Sequence, residues 1–74
     1  MRFLITGGTG LIGKKIVEKL LHRGDQVNVL SRKSNLNSQN KKLKFYYWNP
    51  ELGLIDNKSL DGVDIVINLA GTPI

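Results

Sequence analysis

Residues 6–13 read Thr-Gly-Gly-Thr-Gly-Leu-Ile-Gly. The apolar run Phe3-Leu4-Ile5 comes directly before this stretch, and an amphipathic run follows it. A glycine-rich turn from a strand into a helix offers free backbone N–H groups and the positive end of the helix dipole to an anion. The stretch therefore predicts a phosphate-binding turn, and the other elements are placed from it.

Each glycine of this turn has a physical role. Gly7 permits the tight turn, Gly10 lets a pyrophosphate approach the backbone, and Gly13 lets the helix pack close to the strand. A glycine-rich turn without a ligand is the alternative, but its position between a strand and a helix favours a dinucleotide. The candidate contacts in this turn are Gly7, Thr9, Gly10, Leu11, Ile12 and Gly13.

The order of predicted elements indicates an α/β fold. Parallel strands joined through a helix require a right-handed crossover, which is the unit of a doubly wound sheet. We expect the N-terminal part of an NAD(P)-binding Rossmann domain over residues 1–74, truncated, with strand order 3-2-1-4. The predicted strands are residues 2–6, 26–31, 43–48 and 64–69, and the predicted helix is residues 12–23.

The predicted helix has apolar residues at intervals of three and four, which is typical of one buried face. These residues are Ile12, Ile16, Val17, Leu20 and Leu21. Residues 34–40 are polar and predict a loop, and residues 51–62 read as irregular with a helical turn near Ser59.

Composition excludes several classes of protein. With 41% hydrophobic and 23% charged residues, the chain is typical of a soluble globular domain. No apolar run approaches the roughly 18–20 residues of a membrane span, and we expect no membrane partner. Cysteine is absent, and a single histidine, His22, argues against a zinc site. The lack of disulfides fits a cytoplasmic protein, which is the expected location.

Positive charge is concentrated between Asp25 and Glu51, where no acidic residue occurs. Such a cluster suits the phosphates of a dinucleotide or of nucleic acid, or it is only a solvated face. Alternate aromatic residues of a buried strand point into packed layers, so we expect no nucleic-acid partner. The basic residues are Arg32, Lys33, Lys41, Lys42 and Lys44.

The end of the second strand bears on which dinucleotide is bound. NAD-binding units place an acid there, about 20 residues after the glycines, to hold the ribose 2′-hydroxyl. This chain has Ser31-Arg32-Lys33 instead. Ser31 can donate a hydrogen bond and Arg32 can pair with a 2′-phosphate. The residues therefore predict NADP as the cofactor, with NAD less favoured, unless Arg32 and Lys33 only face solvent.

The Gly-x-x-Gly-x-x-Gly spacing after Thr6 resembles the extended short-chain dehydrogenase/reductase superfamily. The run Asn-Leu-Ala-Gly-Thr-Pro-Ile at residues 68–74 resembles its NAD-dependent epimerase/dehydratase group, often labelled sugar-nucleotide epimerases. The resemblance implies that Leu69, Ala70 and Gly71 lie beside the cofactor. We expect Asn68 to stabilise the sheet.

The two aspartates before this strand, Asp61 and Asp64, read as a turn residue and a residue that begins the strand. We assign neither a catalytic role.

Relatives in this superfamily transfer hydride with a Tyr-x-x-x-Lys pair. Here Tyr46 and Tyr47 are followed four residues later by Pro50 and Glu51, so we assign no catalytic residue. The resemblance implies the dinucleotide-binding portion of an epimerase or oxidoreductase acting on a sugar-nucleotide-like carbonyl substrate, and the 74 residues alone are expected to be inactive. The alternative is a non-catalytic NADP(H)-binding or interaction module.

The predicted sheet has consequences for association. Its fourth strand is apolar and would form an edge, which favours self-association. The chain predicts one strong helix, so we also expect one sheet face without helical cover.

Overall fold

The computed structural model describes residues 1–7, 10–32 and 40–69. In this part of the chain, five strands form a sheet in the order β4-β3-β2-β1-β5, with one α-helix and one 3-10 helix. The elements are β1 (Arg2–Thr6), α1 (Leu11–His22), β2 (Gln26–Ser31), β3 (Leu43–Asn49), β4 (Leu54–Ile55), the 3-10 helix (Asn57–Leu60) and β5 (Ile65–Asn68).

The parallel part of the sheet confirms the predicted topology. β3, β2, β1 and β5 pair in parallel in that order, and β5 is the strand predicted as the fourth. The predicted Rossmann-type α/β fold is therefore confirmed, because β1 lies between β2 and β5 and β3 lies beyond β2, as in the predicted order 3-2-1-4.

One strand was not predicted. β4 pairs antiparallel with the end of β3, opposing Ile55 to Trp48 and Leu54 to Asn49. It lies inside residues 51–62, which the sequence presented as irregular. A strand of two residues is too short to show alternation, so periodicity could not reveal it.

The helix begins and ends one residue earlier than predicted. Its buried residues are Gly13, Val17 and Leu20, spaced by four and three positions as a core-facing stripe requires. Ile12 was placed on the apolar stripe, and this was wrong, because it is 70% exposed. Gly13 occupies the inward position at this end of α1, which turns the neighbouring Ile12 outward.

The core lies between α1 and one face of the sheet. Alternate residues of the two central strands point toward the helix: Phe3 and Ile5 from β1, Val27 and Val29 from β2. The intervening Leu4 is also buried. Burial on both faces explains why Phe3, Leu4 and Ile5 of β1 form a continuous apolar run.

The second face of the sheet is covered by the 3-10 helix. The side-chain amide of Asn28 donates a hydrogen bond to the backbone oxygen of Ser59 at 2.9 Å. Ser59 is completely buried, and Leu4, which pairs with Asn28 in register, is 3% exposed. The expectation of an uncovered face was therefore wrong at its centre, because a single 3-10 turn takes the place of a longer crossover helix.

Arg2 links three elements at the edge where the parallel strands begin. Its Nε donates to Oε1 of Gln26 and its Nη1 donates to the backbone oxygen of Asp61, each at 2.9 Å. Its backbone N–H donates to Oδ2 of Asp64, also at 2.9 Å. As predicted, Asp61 lies in a turn and Asp64 directly precedes β5; their contacts with Arg2 hold the segment that leads into β5 against the start of β1.

β5 forms one border of the described sheet. It pairs with β1, and no strand among residues 1–7, 10–32 and 40–69 pairs with its other side. Val66 on this strand is exposed. Self-association through this edge stays a prediction. No helix in the part of the chain that the structure describes is long and apolar enough to cross a membrane.

The contact between Asn28 and Ser59 predicts a measurable loss of stability. We expect Asn28→Ala to lower the free energy of unfolding by about 1–3 kcal/mol, because the buried Ser59 oxygen would lose its donor. Chemical denaturation followed by far-ultraviolet circular dichroism measures the change. Asn57→Ala, at an exposed position of the 3-10 helix, is the matched control, and equal losses in both variants would contradict the prediction.

Candidate functional site

The carboxyl ends of the parallel strands converge at one edge of the sheet. The register pairs Thr6 at the end of β1 with Leu30 of β2 and with Asn68 of β5. The segments that follow these strands therefore begin side by side, which is where ligands bind in open α/β sheets. The predicted site residues that the structure brings to this edge are Gly7, Gly10, Leu11, Ile12, Gly13, Ser31, Arg32 and Leu69.

The turn between β1 and α1 depends on two glycines. Gly7 has a φ of +77°, a left-handed conformation that other residues rarely adopt. The backbone N–H of Gly10 donates to the Gly7 oxygen at 3.1 Å, and the Gly10 oxygen accepts from Lys14 at 2.9 Å, which begins the helix. Thr9, also predicted to contact the cofactor, lies outside the described residues.

The start of α1 has the charge and shape that an anion requires. Gly10 is the N-cap and provides no side-chain cap, and the first turn contains no acidic residue. The first N–H groups of a helix have no partner within the helix and carry its positive dipole end. A Cβ built at Gly10 would lie 3.4 Å from the Gly7 oxygen, so a side chain would occupy the surface of the turn. These features fit a pyrophosphate.

Two large apolar side chains stand exposed next to this turn. Leu11 is 79% exposed and Ile12 is 70% exposed, although both belong to a helix whose other apolar residues face the sheet. Gly13, the third residue of this first turn, is buried. The first turn of α1 therefore presents backbone and apolar surface together at the strand edge.

A side-chain hydrogen bond joins the ends of β1 and β5. Oγ1 of Thr6 donates to Oδ1 of Asn68 at 2.6 Å, and the Leu69 N–H donates to the Thr6 oxygen at 2.9 Å. The sheet-stabilising role predicted for Asn68 is confirmed. Leu69 is thereby placed beside the start of the glycine turn, while Ala70 and Gly71 lie outside the described residues.

The two predicted site residues at the end of β2 differ in their exposure to solvent. Ser31 is buried and pairs in register with Tyr47 of β3. The Arg32 side chain is 67% exposed, and its Nη1 lies 3.8 Å from Oε1 of Glu51. Arg32 is therefore the residue of the pair that is open to a ligand from solvent.

Glu51 is a candidate that sequence reasoning missed. It is 19 positions after Arg32 along the chain, and it reaches the strand edge because β3 is followed by a turn into β4. Oδ1 of Asn49 accepts hydrogen bonds from the N–H groups of Glu51 at 3.2 Å and Leu52 at 3.3 Å. Asn49 and Pro50, followed by Gly53, are turn-forming residues. This pattern could have indicated that the chain turns back after β3 and brings Glu51 to the strand edge.

Comparisons with known proteins identify related sequences. A model of the NAD dependent epimerase/dehydratase family matches residues 3–73. An epimerase family protein of Staphylococcus haemolyticus (strain JCSC1435) is 36% identical over 70 residues, which cover 95% of this chain and 22% of the relative. Epimerase family proteins of Staphylococcus aureus strains MRSA252 and COL are 36% and 34% identical over the same shares.

The family match supports a nicotinamide dinucleotide as the cofactor. The chain spans about a fifth of the length of these relatives, since the match covers 22% of each.

The geometry of Gly10 allows cofactor binding to be tested apart from folding. Its φ of −74° suits alanine, so Gly10→Ala should lower the free energy of unfolding by no more than about 1 kcal/mol. The methyl group would block the predicted approach of the pyrophosphate. We expect a fluorescence titration to show a roughly tenfold or greater loss of NADPH affinity. This loss corresponds to the free energy of about one hydrogen bond to a charged group.

Gly24→Ala is the inverse control. Gly24 lies at the other end of α1 with a φ of +87°, so alanine should cost about 1–2 kcal/mol of stability and leave NADPH affinity unchanged. An affinity that follows stability in both variants would contradict the assignment of Gly10.

Proposed function

The chain belongs to the NAD dependent epimerase/dehydratase family, and on this basis we propose that it forms the dinucleotide-binding part of an NADP-dependent epimerase or oxidoreductase. The observation that carries the proposal is the convergence of an uncapped glycine turn and the exposed Arg32 at one edge of a parallel sheet. The first would bind the pyrophosphate and the second the adenosine 2′-phosphate.

The chain's residues would hold and orient the cofactor in three groups. The pyrophosphate group is Gly7, Thr9, Gly10, Leu11, Ile12 and Gly13, the 2′-phosphate group is Ser31 and Arg32, and the nicotinamide-side group is Leu69, Ala70 and Gly71. When bound, the dinucleotide supplies a nicotinamide ring that accepts or donates hydride. The chain's contribution is to fix the position of that ring from the phosphate end.

The preference for NADP rests on the chemistry of Arg32. A guanidinium group pairs with phosphate through parallel hydrogen bonds and can stack on adenine. The buried Ser31 leaves Arg32 as the exposed group at the end of β2. A carboxylate that follows β2 directly in sequence, as NAD-binding units have it, is absent.

The proposed reaction of the complete protein is reversible hydride transfer at a carbonyl of a sugar-nucleotide-like substrate. We assign none of its catalytic residues to this chain, because Tyr46 and Tyr47 lack a lysine four positions later. A Tyr-x-x-x-Lys pair in the protein sequence beyond residue 74 would support the enzymatic proposal. Its absence from the complete protein would favour an NADP(H)-binding module without turnover.

Replacing Arg32 tests the cofactor preference. We expect Arg32→Ala to weaken NADPH binding roughly tenfold, since a hydrogen bond to a charged group contributes about 1.5–3 kcal/mol and this one is partly solvated. NADH lacks the 2′-phosphate, so its affinity should change by less than about twofold. Fluorescence titrations with each cofactor give both values.

Arg23→Ala is the matched control for this experiment. Arg23 is similarly exposed and also has a carboxylate partner, Asp25 at 3.3 Å, but it lies at the far end of α1. Its loss should leave both affinities unchanged. Equal losses of NADPH and NADH affinity in Arg32→Ala would refute the proposed preference.

A further inference from the structure

The contact between Arg32 and Glu51 places an acid beside the end of β2, where the residues that follow one another in the chain, Ser31-Arg32-Lys33, include no acid. Their closest charged atoms are 3.8 Å apart, and the side chains are 67% and 78% exposed. Both groups therefore meet solvent, and a ligand could reach either. NAD-binding units use an acid in this region to hold the ribose 2′-hydroxyl. The effect of Glu51 on cofactor preference therefore depends on whether its carboxylate faces a 2′-hydroxyl or a 2′-phosphate.

The turn that carries Glu51 is fixed by its own hydrogen bonds. Oδ1 of Asn49 accepts from the N–H groups of Glu51 and Leu52. The backbone oxygen of Asn49 also accepts from Leu52 at 3.2 Å, and that of Pro50 accepts from Gly53 at 3.3 Å. The backbone of Glu51 is thus held at the strand edge, within side-chain reach of Arg32.

We propose that Glu51 is a specificity-determining residue that limits the preference of this site for a 2′-phosphorylated dinucleotide. The inference rests on the proposed binding of that phosphate by Arg32. In the free protein, Glu51 partly neutralises the Arg32 guanidinium. A 2′-phosphate must replace this partner and then lies close to the Glu51 carboxylate, which repels it.

The two cofactors respond differently to this arrangement. NADH presents an uncharged 2′-hydroxyl, so Glu51 does not repel it at this position. NADPH presents a phosphate with strong acceptor oxygens, which pairs with arginine more strongly than a solvated carboxylate does. Exposed ion pairs contribute about 0–1 kcal/mol, so Glu51 reduces the advantage of NADPH without removing it.

Removing the charge of Glu51 should raise the preference for NADPH. In the full chain, Glu51→Gln is expected to tighten NADPH binding about two- to fivefold, the range of an exposed ion pair, and to leave NADH binding unchanged. The gain should shrink at high salt, because the Debye length falls from about 10 Å at 0.1 M to about 3 Å at 1 M.

Glu18→Gln is the control for net charge. Glu18 is exposed on α1, and its replacement makes the same change in charge away from the strand edge. It should alter neither affinity. A gain in NADPH affinity equal to that of Glu51→Gln would overturn the proposal, because the effect would then follow total charge and not position.

A double-mutant cycle separates this inference from the proposed function. If Glu51 acts through Arg32, the gain from Glu51→Gln should be smaller in an Arg32→Ala background. If Arg32→Ala selectively weakens NADPH binding but Glu51→Gln changes neither affinity, or both equally, the role of Glu51 is overturned and the NADP preference stands. If Arg32→Ala weakens both cofactors equally, both proposals fall.

Discussion

The pairing of β1 with a parallel strand on each side determines what the rest of the molecule can do. Phe3 and Ile5 reach α1 only in the observed register with Val27 and Val29. A slip of one residue would turn each side chain to the opposite face. The same register sets the level at which β1, β2 and β5 end. Core packing and the position of the candidate site are therefore consequences of a single alignment.

The two faces of the sheet are stabilised in different ways. α1 covers one face with apolar side chains, and a single turn of 3-10 helix covers the centre of the other. On the second face, Asn28 is buried in the sheet and satisfied by the Ser59 backbone, so a polar pair does what a hydrophobic crossover helix does elsewhere. Such a contact is directional, and it fixes the path from β3 to β5 more narrowly than apolar packing would.

Sequence reasoning succeeded where local pattern and local structure coincide. The glycine spacing, the three- and four-residue period of α1 and the apolar runs predicted the parallel strands and their order. It failed where an element is too short to show a pattern or where a position is set by tertiary contacts. β4 has two residues, Ile12 faces outward because Gly13 takes the inward position, and Glu51 approaches Arg32 only after β3 turns back on itself. The cofactor contacts themselves stay predictions, and Thr9 and Ala70 lie outside the described residues.

The hydrogen bonds of Arg2 lie at the starts of the strands, away from the candidate site. Arg2 joins β1 to β2 and to the start of β5 at the edge opposite the glycine turn. Arg2 therefore anchors the starts of the strands, while the segments that would meet a ligand follow the ends of the strands. Because none of its partners, Gln26, Asp61 and Asp64, is a proposed cofactor contact, sequence drift at the ligand edge can alter ligand preference without removing these Arg2 contacts.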